Sequence, residues 1–196
     1  MDDRAQAFTL EAVLAAVLLV ASLAFALQAT AVTPVSPSES TTNEAVQRAS
    51  VAAGALDTTV ANGAAKRALL AWNESSGGFV GATEEGYYVT GDPPTAFGET
   101  MHRTLSAESV AYNVDLVYLT PEGEYRTTAL VDQGTPNDGA TRVARTVTLH
   151  DDDRLTRLDG RERNVTVSET AFFAPNVDTD SDLYNVIRVE VTVWRS

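Results

Sequence analysis

The chain has 196 residues, carries 27 acidic and 14 basic side chains for a formal net charge of −13, and contains no cysteine. The absence of cysteine excludes disulfides, thiolate metal sites and catalytic thiols. So acidic a surface, without a basic stripe, also excludes nucleic acid as a partner. Lys66 is the only lysine, and this composition favours a halophilic protein whose self-repulsion is screened at high ionic strength.

An apolar run over residues 8–32 follows a short leader, residues 1–7, and contains Glu11 as its only charge and no proline or glycine. As a helix its 25 residues extend roughly 37 Å, which exceeds a hydrocarbon core of about 30 Å. The run therefore predicts one transmembrane helix with Arg4 on the cytoplasmic side. A cleaved secretory signal is the alternative, because Ala29-Thr30-Ala31 has the small-x-small form that signal peptidase accepts.

The carboxylate of Glu11 is unfavourable in a spanning helix, by about 2.5–3.5 kcal/mol at the centre and by less near an end. One interpretation places Glu11 at headgroup depth, hydrated and close to the positive end of the helix dipole. The other rests on the segment Ala7-Phe8-Thr9-Leu10-Glu11, which resembles the processing site and first turn of type IV pilins and pilin-like proteins.

This resemblance implies that a prepilin-type peptidase removes the leader and that Glu11 pairs with the new amino terminus of a neighbouring pilin-like subunit. The cut lies between Ala7 and Phe8, or between Ala5 and Gln6, because Arg4-Ala5 resembles archaeal versions of the site. Two details depart from the family pattern: alanine stands where glycine is usual, and the glutamate follows the phenylalanine by three residues where four is common. With its acidic composition, the whole chain resembles haloarchaeal pilin-like proteins.

Residues 33–42 form a segment rich in proline, serine and threonine, which predicts a stiff linker that ends the membrane helix. Residues 43–196 then predict one extracytoplasmic domain of common size. The alanine-rich stretch from Asn43 to Trp72 predicts a helix that packs on its own sheet and breaks near Asn62-Gly63. Apolar side chains at three- and four-residue spacing define the stripe expected to be buried: Val46, Ala49, Ala53, Leu56 and Val60.

The second half of the chain predicts strands. Thr95 is placed to cap a short helix with Phe97, Met101 and Leu105 on one face. Alternation of apolar and other residues then predicts strands at both ends of the remaining sequence, Val110 to Tyr118 and Ile187 to Val193. Further candidates are Tyr87 to Thr90, Tyr125 to Val131, Arg142 to His150 and Asn164 to Ser168. Helices followed by four or five antiparallel strands predict an α+β domain.

No motif in the chain predicts catalysis or a cofactor. The alternating oxygens of Asp178-Thr179-Asp180-Ser181-Asp182 match the first half of a calcium loop. The glycine and glutamate of its second half are replaced by Leu183 and Val189, so we expect an acidic turn and no metal site. His102 and His150 lack the spacing of a metal pair, and the chain has no nucleophile elbow, P-loop or dinucleotide fingerprint. Asn73 and Asn164 begin the two sequons for N-glycosylation.

The sequence thus predicts a single-pass protein of the cell membrane, in contact with lipid, with its carboxy-terminal domain outside the cell. The resemblance implies a non-enzymatic minor subunit or assembly component of a type IV pilus-like filament. The alternative function is a membrane-anchored extracytoplasmic binding module that does not polymerise.

Overall fold

The structure is a computed structural model that describes residues 39–89, 92–105 and 110–195. The chain divides into two units, residues 1–39 and 40–196, and every described residue except Glu39 belongs to the second. The leader, the apolar run and most of the predicted linker lie outside the described residues, and so do Ala5, Gln6, Ala7, Phe8 and Glu11. Among the residues that are described, no helix is long and apolar enough to cross a membrane.

Within these ranges three α-helices precede the main sheet: α1 spans Glu39–Ala61, α2 spans Ala64–Leu70 and α3 spans Ala96–Leu105. Helix α1 begins at Glu39, so residues 39–42 are helical where the sequence predicted linker. No proline follows Pro37 in that segment, and serine, threonine and glutamate do not forbid a helix as proline does. The predicted break is confirmed at Gly63, whose φ of 73° lies in the left-handed region that glycine adopts without strain.

The buried side of α1 differs from the predicted stripe. Its fully buried residues are Ala52, Ala55, Leu56 and Thr59. Val46 is 63% exposed, and Ala49, Ala53 and Val60 are only partly buried. An alanine-rich helix has apolar residues on most of its circumference, so tertiary packing decides which side faces the sheet. In α1 that side consists mainly of small residues, which allow the helix to approach closely.

Four long antiparallel strands form the main sheet: β3 (Val110–Leu119), β4 (Tyr125–Asp132), β5 (Thr141–His150) and β8 (Leu183–Arg195). Their order is β4-β3-β8-β5. Two small antiparallel sheets accompany it: β1 (Trp72–Asn73) with β2 (Gly78–Phe79), and β6 (Arg154–Thr156) with β7 (Glu162–Thr166). The α+β class is confirmed, and β1, β2 and β6 are strands that the sequence did not predict.

Two predicted strands are shorter than expected. In the segment predicted from Tyr87, Tyr88 forms an isolated bridge to Val131, and Thr90 lies outside the described residues. The segment from Asn164 is a strand only as far as Thr166, where a 3-10 helix begins and runs over Val167–Glu169. The side chain of Glu169 accepts a hydrogen bond from the Thr166 N–H at 2.9 Å and so stabilises this turn over an extended chain.

The helices cover one face of the main sheet. Alternate residues of the central strands, among them Val114, Leu116, Val189 and Val191, are at most 1% exposed and form one core with the helices. Helix α3 contributes Phe97, Met101 and Leu105, as predicted, and the Gly98 N–H donates to Thr95 Oγ1 at 3.3 Å as a cap. We call the opposite side of the sheet, formed by the remaining alternate residues, the open face.

Candidate functional site

The open face bears a groove of about 500 Å³. Strand register brings its lining together from all four strands: Leu119 lies opposite Tyr125, and Val117 opposite Arg188, which in turn pairs with Thr146. Val186 completes the lining. Tyr125 is 78% exposed and Val186 is 43% exposed. Large side chains so exposed beside the half-buried Val117 and Leu119 make this end of the sheet an apolar surface.

A charged network crosses the middle of the same face. The side chain of Glu190 is only 8% exposed, and its two carboxylate oxygens pair with Arg188 Nη2 at 2.6 Å and Arg142 Nη1 at 3.1 Å. Asp115 lies opposite Glu190 in the register of β3 and β8. Burial raises the pKa of the Asp115 carboxyl, and Arg142 opposes this effect by favouring the charged form. The network therefore satisfies a nearly buried carboxylate with two cations.

A second cleft, of about 260 Å³, lies between α2, the beginning of α3 and the turn that joins β6 to β7. We call it the arginine cleft, because Arg67 and Arg157 both line it. Within the described residues neither forms an ion pair with a carboxylate. Glu99 and Asp159 line the same cleft, but the Asp159 carboxylate already accepts from the Arg161 N–H at 3.0 Å. The cleft thus contains two arginines and two carboxylates, and among the described residues neither arginine is in an ion pair with either carboxylate.

Two glycines orient Arg67 in this cleft. Gly63 and Gly160 both have positive φ, 73° and 77°, and a Cβ on Gly160 would lie 3.4 Å from Arg67 Cδ. A Cβ on Gly63 would lie 3.0 Å from Arg67 Nη1. The guanidinium donates from Nη2 to the main-chain oxygen of Asn62 at 3.2 Å. Its position is therefore set by the backbone of two turns.

His102 lies on α3 in contact with an acidic side chain. Its Nδ1 is 2.6 Å from Asp92 Oδ2, and the hydroxyl of Tyr112 donates to Asp92 Oδ1 at 2.5 Å. Tyr112 is buried, and this burial together with the neighbouring carboxylate raises the pKa of its phenol. The His102 side chain is 66% exposed. Asp92 thus joins the last turn of α3 to β3, which gives the contact a structural role.

Both predicted glycosylation residues lie on the surface of the described domain. Asn164 is exposed on β7, and its Oδ1 accepts from Arg154 Nη1 at 2.8 Å. Asn73 is half-buried at the end of β1, and its Oδ1 accepts from the Ser75 N–H at 3.1 Å, within the turn to β2. Asn164 is therefore the more accessible acceptor.

In the acidic loop before β8, both carboxylate oxygens of Asp178 accept hydrogen bonds from residues of the same loop. Asp178 Oδ1 accepts from the Asp180 N–H at 3.2 Å and its Oδ2 accepts from Ser181 Oγ at 2.8 Å. In the part of the chain that the structure describes, no three carboxylate or histidine side chains are grouped so as to hold a metal ion. His150 takes part in a turn through its N–H, which donates to Asp153 Oδ2 at 2.7 Å.

Sequence reasoning missed the groove and the arginine cleft. For the groove a signal was present, because Val117 and Leu119 are apolar at positions out of phase with the core side of β3. No signal in the sequence indicated the arginine cleft, since Arg67 and Arg157 are far apart along the chain.

A model for a family of unknown function, DUF7288, matches residues 4–193. No curated protein and no solved structure matches the chain.

Proposed function

We propose, since the chain belongs to the DUF7288 family of unknown function, that it is a pilin-like single-span surface protein. It serves as a minor subunit or assembly component of a type IV pilus-like filament, without enzymatic activity. The observation that carries this proposal is Glu11, a lone carboxylate three residues inside an apolar run that follows a short leader. A prepilin-type peptidase removes the leader, and the acidic domain lies outside the cell.

Two further observations support the proposal. The family match begins at residue 4, so it takes in the leader and the apolar run together with the domain. The domain itself is a helix followed by an antiparallel sheet, an arrangement that resembles the general plan of pilins. Many α+β domains share that plan, so the proposal depends mainly on the leader and Glu11.

Glu11 stabilises the assembled state through a charge pair inside the bilayer. A carboxylate in hydrocarbon is costly unless it is partnered. The freed amino terminus of a neighbouring subunit provides an ammonium of opposite charge, and neither charge is then left alone in the membrane. Removal of the carboxylate leaves that ammonium without a partner, at a cost of about 3–5 kcal/mol per subunit.

The test is Glu11→Gln in the full chain, expressed beside wild type at equal membrane levels. We expect export to persist while recovery in sheared surface filaments or crosslinked subunit complexes is lost. Asp3→Asn is the matched control, because it removes a carboxylate of the leader that takes no part in the pairing. Equal recovery of the Glu11→Gln and wild-type chains would refute the pairing.

Mass determination of the mature amino terminus tests the processing step. A protein that begins at Gln6 or Phe8 is the expected product. An intact Met1 would identify an unprocessed anchor, and a start at Val32 would replace the proposal with secretion.

The arginine cleft favours a second candidate, a membrane-anchored extracytoplasmic binding module that does not polymerise. Arg67 and Arg157, which have no ion-pair partner among the described residues, suit a ligand with an anionic group. A titration with inorganic phosphate, followed by the NMR signals of arginine Nε, tests this role. Saturable shifts that vanish in Arg67→Gln support it, and unchanged shifts exclude it. Arg103→Gln, on the last turn of α3, is the control.

A further inference from the structure

We infer that the open face of the main sheet is a contact surface between two copies of this chain. The open faces of the two copies pack against each other at the groove beside Tyr125. The inference goes beyond the proposed function, because it requires neither processing of the leader nor the pairing of Glu11.

The first support is the apolar end of the open face. Val117 and Leu119 lie half-buried on β3 between Tyr125, which is 78% exposed, and Val186, which is 43% exposed. A sheet that packs face to face with another sheet buries side chains of this kind at a separation of about 10 Å. The helices contribute their buried side chains to the core on the other face.

The second support is charge. The chain carries a net charge of −13, yet on the open face the carboxylates of Glu190, Asp115 and Asp132 lie near two arginines, so this face is far less acidic than the chain as a whole. Arg142 and Arg188 face Glu190 and Asp115, and both oxygens of the Glu190 carboxylate are paired with arginine. Glu190, the most buried of these carboxylates, is therefore already paired with arginine when a second surface covers it. Two copies of an acidic protein repel each other most strongly where carboxylates dominate, and on this face arginines offset most of the carboxylate charge.

The occupant is therefore a second copy. A basic partner is drawn to the acidic surfaces of the domain, whereas a face with an apolar end and little net charge fits a face of the same kind. Two copies related by a two-fold axis through the groove place the apolar end of one face against the apolar end of the other, and the contact is self-complementary. Thr146, which lines the groove, and Thr148, which pairs with Val186, are exposed and small enough for a close approach of the two sheets.

The absence of cysteine makes crosslinking a direct test. The full chain with the single change Val186→Cys is expressed in membranes of a halophilic host and treated with a short bismaleimide at growth salt. We expect a product of twice the chain mass. Val46→Cys is the matched control, because Val46 is also an exposed valine but lies on α1. A Val186→Cys yield no higher than that of the control would overturn the inference. A product whose mass shows a different protein would do so as well.

A second variant separates specific pairing from chance collision. Thr146→Glu with Thr148→Glu, added to Val186→Cys, changes only exposed side chains and leaves the core intact. Each copy then places two carboxylates against those of its partner, and we expect the crosslinked product to fall about tenfold or more. An unchanged yield would contradict pairing through this face. Repetition with Glu11→Gln keeps the two proposals apart, since the face contact predicts an undiminished yield even if filaments are lost.

Discussion

Gly98 shows how one residue fixes the start of α3. It lies in the first turn of that helix, and a Cβ built at this position would fall 1.9 Å from the main-chain oxygen of Pro93. That oxygen belongs to the backbone of a tight turn, where it accepts from the Thr95 N–H at 2.7 Å. The contact leaves no room for any side chain, so a helix position that normally disfavours glycine requires it.

We expect Gly98→Ala to lower the free energy of unfolding by about 2 kcal/mol or more, because the backbone must move. Gly54→Ala is the matched control in α1, where a new Cβ meets nothing within 4 Å. There the loss of backbone freedom in the unfolded chain should raise stability by about 0.5–1 kcal/mol. Urea unfolding of both variants measures the two effects, and equal stability of Gly98→Ala and wild type would contradict the geometry.

Glu74, in the turn that follows β1, forms a bidentate ion pair with Arg163 on β7. Arg163 Nη2 is 2.6 Å from one oxygen of the Glu74 carboxylate and Nη1 is 2.9 Å from the other. Hydrogen bonding from Arg163 lowers the pKa of Glu74 from 4.5 to about 2. Between pH 4.5 and about 2 the Glu74 carboxylate therefore stays charged in the folded state, whereas it becomes protonated in the unfolded chain.

This shift predicts a loss of stability on the acid side. The contribution of Glu74 is complete above pH 4.5 and disappears as the pH falls toward 2, because protonation of the unfolded chain is then favoured. Glu74→Gln should reduce the slope of unfolding free energy against pH in this window. Unfolding series between pH 2 and pH 6 measure the slope. The exposed Glu84→Gln is the control, and an equal slope for Glu74→Gln and wild type would exclude the linkage.

At the scale of elements, the connection between the 3-10 helix and β8 is held by side chains. Trp72 Nε1 donates to the Ala171 oxygen at 2.9 Å, and its ring packs on Phe172 and Phe173 at centroid distances of 6.0 and 5.7 Å. Tyr184, which is 4% exposed, donates its hydroxyl to the Ala174 oxygen at 2.9 Å. The segment has little backbone pairing, so these contacts order it.

Tyr184→Phe removes the donor and leaves the buried Ala174 oxygen without its partner. We expect a loss of about 1–3 kcal/mol. Faster hydrogen exchange should follow at Val177, whose N–H donates to the main-chain oxygen of Tyr184 at 2.9 Å. Exchange by mass spectrometry over residues 170–177 resolves the effect. Tyr87→Phe, a half-buried tyrosine elsewhere, should leave this segment unchanged. An unaltered rate in Tyr184→Phe would show that the aromatic packing suffices.

At the scale of the whole molecule, net charge opposes folding. Exposed ion pairs such as Arg145 with Asp57 offset little of the charge of −13, since each is worth about 0–1 kcal/mol. Repulsion among the remaining carboxylates extends over the Debye length. At molar salt that length is about 3 Å, and the repulsion is then confined to immediate neighbours.

We expect residues 39–196, produced alone, to unfold as sodium chloride falls from molar concentration to below about 0.2 M, where the Debye length exceeds roughly 7 Å. Circular dichroism across this range is the measurement. Sucrose of equal osmolality is the control, because it does not screen charge. Constant stability at low salt would mean that the acidic surface serves solubility alone.

The sequence by itself determined the local features of this domain. The alternation that predicted β3 and β8, the Thr95 cap of α3 and the break at Gly63 depend on neighbouring residues and on backbone preferences. Each was predicted within a few residues, because no distant part of the chain needs to be known. The resemblance of the leader to pilins likewise rests on adjacent residues.

Only the tertiary structure decided which surfaces these elements form together. The side of α1 that faces the sheet includes Ala52 and Ala55, and of the stripe predicted from the sequence only Leu56 is fully buried. The groove and the arginine cleft join residues that are distant along the chain, such as Val117 with Arg188 and Arg67 with Arg157. Their proximity depends on strand register and helix packing, which are set by the burial of the whole core and not by any local period.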